Sequence, residues 1–212
     1  MLEFNKKLEE DFMKKAVLIF LLSFFMFSCS SIEFNEISPS ASLFRPKILV
    51  ILPVKMPDGY DHDAIKAEKA LFENASKTKK FEKILNPEIA RNQMNENKEL
   101  QESIMAYYAK LKTLGISDKD LTKKIADLYL ADTIIVAEFS KWGYVDYLGD
   151  KFAEVSASIK LIDGASGTIY WKAMHQERES YSLFKPDLGK IADKVLHRIF
   201  KNMPDLPEVK KK

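Results

Sequence analysis

The feature that most constrains the fold is a pair of alternating segments between residues 152 and 176. In the first segment every second residue is apolar: Ala153, Val155, Ala157, Ile159 and Leu161. The second segment, residues 168–176, continues the pattern with Ile169, Trp171 and Ala173. Strict alternation is typical of a strand that buries one face. Because only the short turn sequence 163–167 (DGASG) separates the segments, we expect two antiparallel strands.

Other segments predict strands of a different kind. Residues 47–54 (KILVILPV) form a continuous apolar run rich in β-branched residues. Such a run is typical of a strand that is buried on both faces inside an α/β sheet. Residues 133–142 form another β-rich run, and residues 81–85 predict a short strand.

Helical periodicity fills the segments between these strands. Asp61 or Asp63 is expected to cap a first helix, and two or three helices are expected between Pro87 and Leu130. A last helix is expected after Pro186. Together the patterns predict a single α/β domain over residues 46–204, with a mixed sheet of about five strands and helices packed on it.

The amino-terminal residues have the layout of a bacterial lipoprotein signal. A basic start at residues 13–15 precedes an apolar run over residues 16–27, and a small residue stands before Cys29. A helix over this run would reach only about 18 Å, against a hydrocarbon core of about 30 Å, so a membrane-spanning helix is disfavoured. We therefore predict a signal peptide over residues 1–28, with Met13 as the true initiator.

Cys29 is the only cysteine in the chain, so no internal disulfide can form. Its position directly after the apolar run predicts that it is the lipidated first residue of the mature protein. A buried thiol and an intermolecular disulfide are the alternatives. Residues 29–45 would then be a tether between the membrane and the domain. Ser30 is not acidic, which favours an outer-membrane location facing the periplasm.

The charge distribution excludes a nucleic-acid-binding protein. The net charge is +2, and positive and negative residues are interspersed along the chain. Only the basic tail, residues 205–212, ends in a lysine cluster, and a solvated terminus is its expected state. We therefore expect no nucleic-acid partner.

No catalytic or metal-binding constellation is recognisable in the sequence. His62, His175 and His197 lack metal-ligand spacing, and no G-x-S-x-G motif is present. Residues 164–167 bear glycines but lack the lysine and the strand-to-helix setting of a phosphate loop. We therefore expect neither enzymatic activity nor a cofactor.

Aromatic residues cluster on a predicted loop over residues 143–150. Tyr144 and Tyr147 lie within it and Trp142 and Tyr170 are expected near it, while Gly143 and Gly149 are expected to loosen the backbone. Such rings form either a partner-binding edge or the rim of the core. We select Trp142, Tyr144 and Tyr147 as candidate partner-binding residues.

Several segments together resemble a family of small bacterial lipoproteins of unassigned function. The resemblance rests on residues 131–136 (ADTIIV), 140–142 (SKW) and 155–163, then on Ser166-Gly167-Thr168 and Tyr170-Trp171. It covers most of residues 46–203. Related envelope proteins are the amino-terminal domain of TolB, the periplasmic part of CsgG-type secretion proteins and the lipoprotein activators of peptidoglycan synthases.

The resemblance implies a fold like the TolB amino-terminal domain and a non-enzymatic function. It implies an accessory subunit of a cell-envelope assembly, one that binds a CsgG-like envelope protein or a related lipoprotein. A homo-oligomer is also left open. The alternative function is activation of a peptidoglycan synthase, and a small-ligand binder or an enzyme is the third reading. No catalytic residues come with the resemblance.

Overall fold

The computed structural model describes residues 32–206. This part of the chain contains six strands and five α-helices. Cys29 and the predicted signal peptide lie outside the described residues, as do residues 207–212 of the predicted basic tail.

Strands and helices follow one another in a mixed order. The strands are β1 (Phe34–Ile37), β2 (Ile48–Ile51), β3 (Lys83–Ile84), β4 (Thr133–Tyr147), β5 (Asp150–Asp163) and β6 (Ile169–Tyr181). The helices are α1 (Ala64–Lys77), α2 (Pro87–Glu96), α3 (Lys98–Leu114), α4 (Lys119–Tyr129) and α5 (Leu188–Lys201). Short 3₁₀ turns over Ala41–Leu43 and Asp61–Asp63 precede β2 and α1.

Side-chain caps fix where four of these helices begin. Asn86, Asn97, Asp118 and Asp187 each accept a hydrogen bond from a backbone N–H in the first turn of α2, α3, α4 and α5. Asp63 precedes α1, as the sequence predicts, but its side chain makes no capping bond. Its carboxylate instead accepts a hydrogen bond from a tryptophan of β4.

The strands form one mixed sheet in the order β1-β6-β5-β4-β2-β3. β2 pairs in parallel with both β3 and β4. The neighbouring pairs β4–β5, β5–β6 and β6–β1 are antiparallel. The antiparallel pairing of β5 with β6 confirms the prediction from alternation. The predicted α/β domain with a mixed sheet is also confirmed, with one strand more than expected.

Two apolar cores lie on opposite faces of this sheet. α1 and α5 pack on one face, against Leu49 and Ile51 of β2 and the inward residues of β4, β5 and β6. α2, α3 and α4 pack on the other face, against Val50 of β2, Ile134 and Val136 of β4, and Ile162 of β5. β2 is therefore buried on both faces, as its continuous apolar sequence predicts.

The expected loop over residues 143–150 is wrong, because strand pairing continues almost to its end. β4 and β5 stay in register as far as the pair Tyr147–Asp150. Leu148 and Gly149 alone form the turn, with φ angles of 54° and 91°. Positive φ at both central residues is typical of the tight hairpin turn that matches the twist of antiparallel strands. The aromatic residues therefore lie on a rigid hairpin.

The carboxyl-terminal part of the predicted tether, residues 29–45, belongs to the domain. Residues 34–37 form the edge strand β1, which pairs with β6 between Phe34–Met174 and Ile37–Trp171. Ala41 and Phe44, further along the same segment, are buried in the domain. Within the described chain, the domain therefore begins before residue 46.

Leu161→Asp should destabilise the domain strongly, because Leu161 is fully buried in the core beneath α5. The substitution would bury an unpaired carboxylate, and we expect a loss of about 3–5 kcal/mol in the free energy of unfolding. Urea denaturation measures this loss. Met105→Glu on the exposed surface of α3 is the control and should change stability by less than about 0.5 kcal/mol. Equal losses in the two variants would contradict the buried placement of Leu161.

Candidate functional site

Helices cover the outer end of the β4–β5–β6 meander on one face only. On the opposite face, the apolar core under the α2–α4 layer extends to Val136 and Ile162. It includes no outward residue of β5 between 152 and 160, although Lys160 lines a cavity with Tyr108 and Lys112 of α3. Because side chains alternate along β5, the outward positions there are Phe152, Glu154, Ser156, Ser158 and Lys160. We call this surface, together with the adjoining Lys141 and Arg178, the open face.

Polar groups on the open face are paired with one another. Glu154 is buried because the Arg178 guanidinium forms an ion pair with its carboxylate, and Lys141 Nζ lies 3.6 Å from its second oxygen. Arg178 also stacks over the Phe152 ring, with the guanidinium carbon 4.7 Å from the ring centroid. The Ser140 hydroxyl donates to Ser156 Oγ at 3.1 Å. These contacts make a satisfied surface, and none of them arranges a nucleophile beside a base.

Trp142 is the most buried of the three candidate partner-binding residues. It is only 3% exposed and packs edge-on against the Phe139 ring at 5.2 Å. Its indole N–H donates to Asp63 Oδ2 at 2.9 Å, which ties the hairpin to the start of α1. The structure therefore places Trp142 beneath the surface, where it supports the hairpin.

Tyr144 lies at the edge of the core beside the segment that leads into α5. Its hydroxyl donates to the Pro186 carbonyl at 2.8 Å, and its ring packs edge-on against Tyr181 at 5.7 Å. Lys185 Nζ lies 4.6 Å from the ring centroid. Burial raises the pKa of Tyr144, with the nearby Asp187 carboxylate adding to the shift. Tyr144 is thus partly exposed but engaged within the domain.

Tyr147 is the most exposed of the three candidate residues, with 65% of its surface accessible. It is the last residue of β4 and directly precedes the hairpin turn. The Tyr147 ring is therefore exposed to solvent, the Tyr144 ring is engaged at the edge of the core, and the Trp142 ring is buried. Tyr147 remains a predicted partner contact.

Gly143 has a different function from the one that the sequence suggests. A Cβ at this position would lie 2.7 Å from the Tyr60 hydroxyl, which is closer than a carbon can approach without displacing it. Because Gly143 is paired within the hairpin opposite Glu154, it does not loosen the backbone. It allows the residues before α1 to pack closely on β4.

A groove between α1 and α2 is the principal feature that the sequence does not reveal. It has a volume of about 490 Å³ and is lined in part by Ile65, Phe72 and Arg91. At its base Arg91 forms an ion pair with the buried Glu68, whose other carboxylate oxygen accepts from the Val54 N–H at 3.2 Å. Only the charged Glu68 on the buried side of α1 signals this pairing in the sequence. Arg91 and Glu68 are therefore paired with each other at the base of the groove.

The histidines do not come together. His62 is exposed, with Nε2 3.5 Å from Asp63, and His197 lies on α5. His175 is buried on β6, where Nε2 lies 3.0 Å from Glu177 Oε1 and Nδ1 has no hydrogen-bond partner. Residues 32–206 hold no group of three acidic, histidine or cysteine side chains that is placed to bind a metal ion. Within the same residues, no helix has the length and apolar character needed to cross a bilayer.

Known structures share this fold at low sequence identity. No family model and no curated protein sequence matches the chain. A single-residue variant of the PelC dodecamer from Paraburkholderia phytofirmans is 13% identical, with a TM-score of 0.50 over 80% of this chain and 97% of that one. Lipoprotein GNA1162 from Neisseria meningitidis is 16% identical, with a TM-score of 0.50 over 74% of this chain and 99% of that one.

These two likenesses establish the fold. They confirm that the domain resembles small bacterial lipoproteins, as the sequence motifs predict. The LpoB C-terminal domain from Escherichia coli is 14% identical, with a TM-score of 0.36. The match covers 63% of this chain and 84% of the LpoB chain. With that score, this likeness carries no argument about function. The relation to CsgG-type and TolB-type domains stays a prediction.

Two single substitutions, Tyr144→Ala and Tyr147→Ala, should differ in their effect on stability, because only the Tyr144 ring is engaged within the domain. Tyr144→Ala removes the hydroxyl bond to Pro186 and the contact with Tyr181, so we expect a loss of about 1–2 kcal/mol in the free energy of unfolding. Tyr147→Ala removes an exposed ring and should cost less than about 0.5 kcal/mol. Thermal and urea denaturation of both variants measure the difference. A larger loss for Tyr147→Ala would show that its ring belongs to the core.

Proposed function

We propose that the chain is a lipid-anchored cell-envelope protein whose α/β domain acts as a non-enzymatic accessory subunit. The partner is a CsgG-like envelope protein or a related lipoprotein, in an export or surface-structure system. One observation carries this proposal: the β4–β5–β6 meander extends past the α2–α4 layer and presents an open face and the exposed Tyr147. A surface of this kind suits protein contact better than chemistry.

The anchor in this proposal is a lipid on Cys29. Only two residues separate Cys29 from Ile32, which packs against the core of the domain. The domain would therefore be held directly at the membrane surface. The fold shared with lipoprotein GNA1162 supports this placement. We further propose that the membrane is the outer membrane and that the domain faces the periplasm.

The edge of the sheet supports assembly with another chain. Among residues 32–206, β1 pairs with β6 on one side only, which leaves one row of its backbone groups available for a further strand. Phe34 and Ile37 on this strand are both exposed. Edge strands with exposed apolar side chains are frequent sites of strand addition. The neighbour that shares the fold, PelC, is described as a dodecamer, so a homo-oligomer is one form that such assembly takes.

Cys29→Ala should abolish lipid attachment, because a thioether at this residue is the proposed point of modification. Cells that express the full chain are grown with radiolabelled palmitate, and the protein is recovered by an affinity tag. We expect label in the unsubstituted chain and none in Cys29→Ala. Equal labelling of both proteins would refute the anchor.

Purification of the tagged chain from solubilised membranes tests the accessory function. We expect a CsgG-like protein or another envelope lipoprotein to be recovered with it. Tyr147→Ala should reduce that recovery, whereas Met105→Ala on α3 should not; both side chains are 65% exposed, so this pair is matched. Recovery of a peptidoglycan synthase would favour the alternative, and a monomer with a bound metabolite would contradict an accessory subunit.

A further inference from the structure

We propose that the end of the β4–β5 hairpin and the turn after β6 rest in the bilayer that holds the Cys29 lipid. The contact consists of Leu148, Leu183 and Phe184, which we call the apex patch. This inference rests on the proposed lipid anchor and assigns a second, non-covalent membrane contact to the domain. The anchor and the apex patch would together fix the orientation of the domain on the membrane.

Exposure singles out the apex patch. Leu148, Phe184 and Leu183 are 90%, 87% and 85% exposed, the highest values among the large apolar side chains of residues 32–206. They lie at one end of the sheet, because β6 ends at Tyr181 opposite Lys151, directly beside the hairpin turn. Apolar side chains at the tips of turns bury no surface within the domain. Their burial therefore requires something outside it.

The residue type at the turn is not explained by the fold. Leu148 has a φ of 54°, in the left-handed region where asparagine, aspartate or glycine is favoured in tight hairpins. A leucine there accepts an unfavourable backbone conformation and gains no packing within the domain in return. Leu130, at the end of α4, combines the same features, so the position of Leu148 beside Leu183 and Phe184 is what distinguishes the hairpin turn. A bilayer supplies the missing burial, because an apolar side chain gains free energy when it leaves water.

The direction of β1 supports a membrane at the same end of the sheet. β1 runs antiparallel to β6, so the chain that precedes Phe34 approaches from the side of Tyr181. Phe34 is level with Met174, seven residues or about 23 Å from the end of β6. The five residues from Cys29 to Phe34 span at most about 18 Å, so an extended chain would cover most of the distance to the level of Tyr181.

Charges near the apex patch favour an apolar contact over an attraction to anionic headgroups. Asp146 and Asp150 are offset by Lys151 and Lys185, so the end of the hairpin carries no net charge. Asp146 is also engaged, because its Oδ1 accepts from the Gly149 N–H at 3.1 Å. The contact should therefore form on zwitterionic phospholipid as well as on an anionic one.

A single-cysteine experiment tests this contact in the lipidated protein. The full chain is expressed with its amino-terminal segment, purified from membranes and reconstituted into phosphatidylcholine vesicles. Leu148→Cys and Phe184→Cys each supply one free thiol for a fluorescent probe, since Cys29 is blocked by its lipid. Ala165→Cys is the control, because Ala165 is exposed in the β5–β6 turn, at the opposite end of β5 and about 40 Å away.

Quenching by spin-labelled phospholipid is the measurement. Probes at positions 148 and 184 should emit at shorter wavelength than the probe at 165. They should lose about half or more of their fluorescence to a spin label placed about 5–10 Å below the headgroups, the depth of interfacial segments. The probe at 165 should lose none.

Two results would overturn the membrane contact. If all three probes behave alike, the apex patch does not reach the bilayer. If the probes at 148 and 184 shift their emission but are not quenched by the spin-labelled lipid, the patch is covered by protein. Failure of the anchor itself has a separate signature, because the chain without an introduced cysteine would then take up the probe at Cys29.

Discussion

The structure depends on a mismatch between long strands and shorter helix layers. β4, β5 and β6 stay paired from the level of Thr133 and Asp163 to the hairpin turn. The apolar core under the α2–α4 layer reaches only the inner ends of these strands, at Ile134, Val136, Ile162 and Ile169. α1 and α5 still bury the opposite face, so the outer part of the meander remains stable with one face open. Antiparallel sheets tolerate this arrangement because their alternating side chains can keep one face polar.

The contacts that hold the outer meander are also the ones that limit its chemistry. Trp142 bonds to Asp63, and Glu154 is paired with Arg178 and Lys141. Each of these buried polar groups has its partner within the domain, which rigidifies the hairpin and leaves no free acid, base or nucleophile among them. What the hairpin offers to other molecules is its shape and its exposed apolar end. This combination is the basis for assigning a binding function.

The sequence predicts the parts of the fold in which local pattern and burial agree. The alternation of β5 and β6, the continuous apolar run of β2 and the turn at residues 163–167 all reappear in the structure. β1 could not be predicted, because residues 34–37 show no periodicity and are all exposed. This strand exists through its pairing with β6, about 140 residues away along the chain, and such pairing leaves no local signal.

The candidate surface was predicted only in outline. The cluster of Trp142, Tyr144 and Tyr147 indicates aromatic rings near one segment, but their burial depends on α1 and on the turn into α5. A glycine on each side suggests a loop, whereas Gly143 allows Tyr60 to approach and Gly149 completes a hairpin turn. Leu148 and Phe184 are unremarkable in the sequence, since isolated apolar residues occur in every turn-rich segment. Their shared position at the end of the sheet becomes visible only with the topology.

The central claim is that the outer end of the meander is the surface through which this protein works in the envelope. Hydroxyl-radical footprinting of side chains, compared between isolated membranes and detergent-purified protein, tests it most directly. The account predicts that Tyr147, Leu148 and Phe184 become protected in membranes, while Met105 and Leu130, which are exposed on the helical side, react equally in both. Protection of Met105 and Leu130, with the end of the hairpin unchanged, would contradict the account.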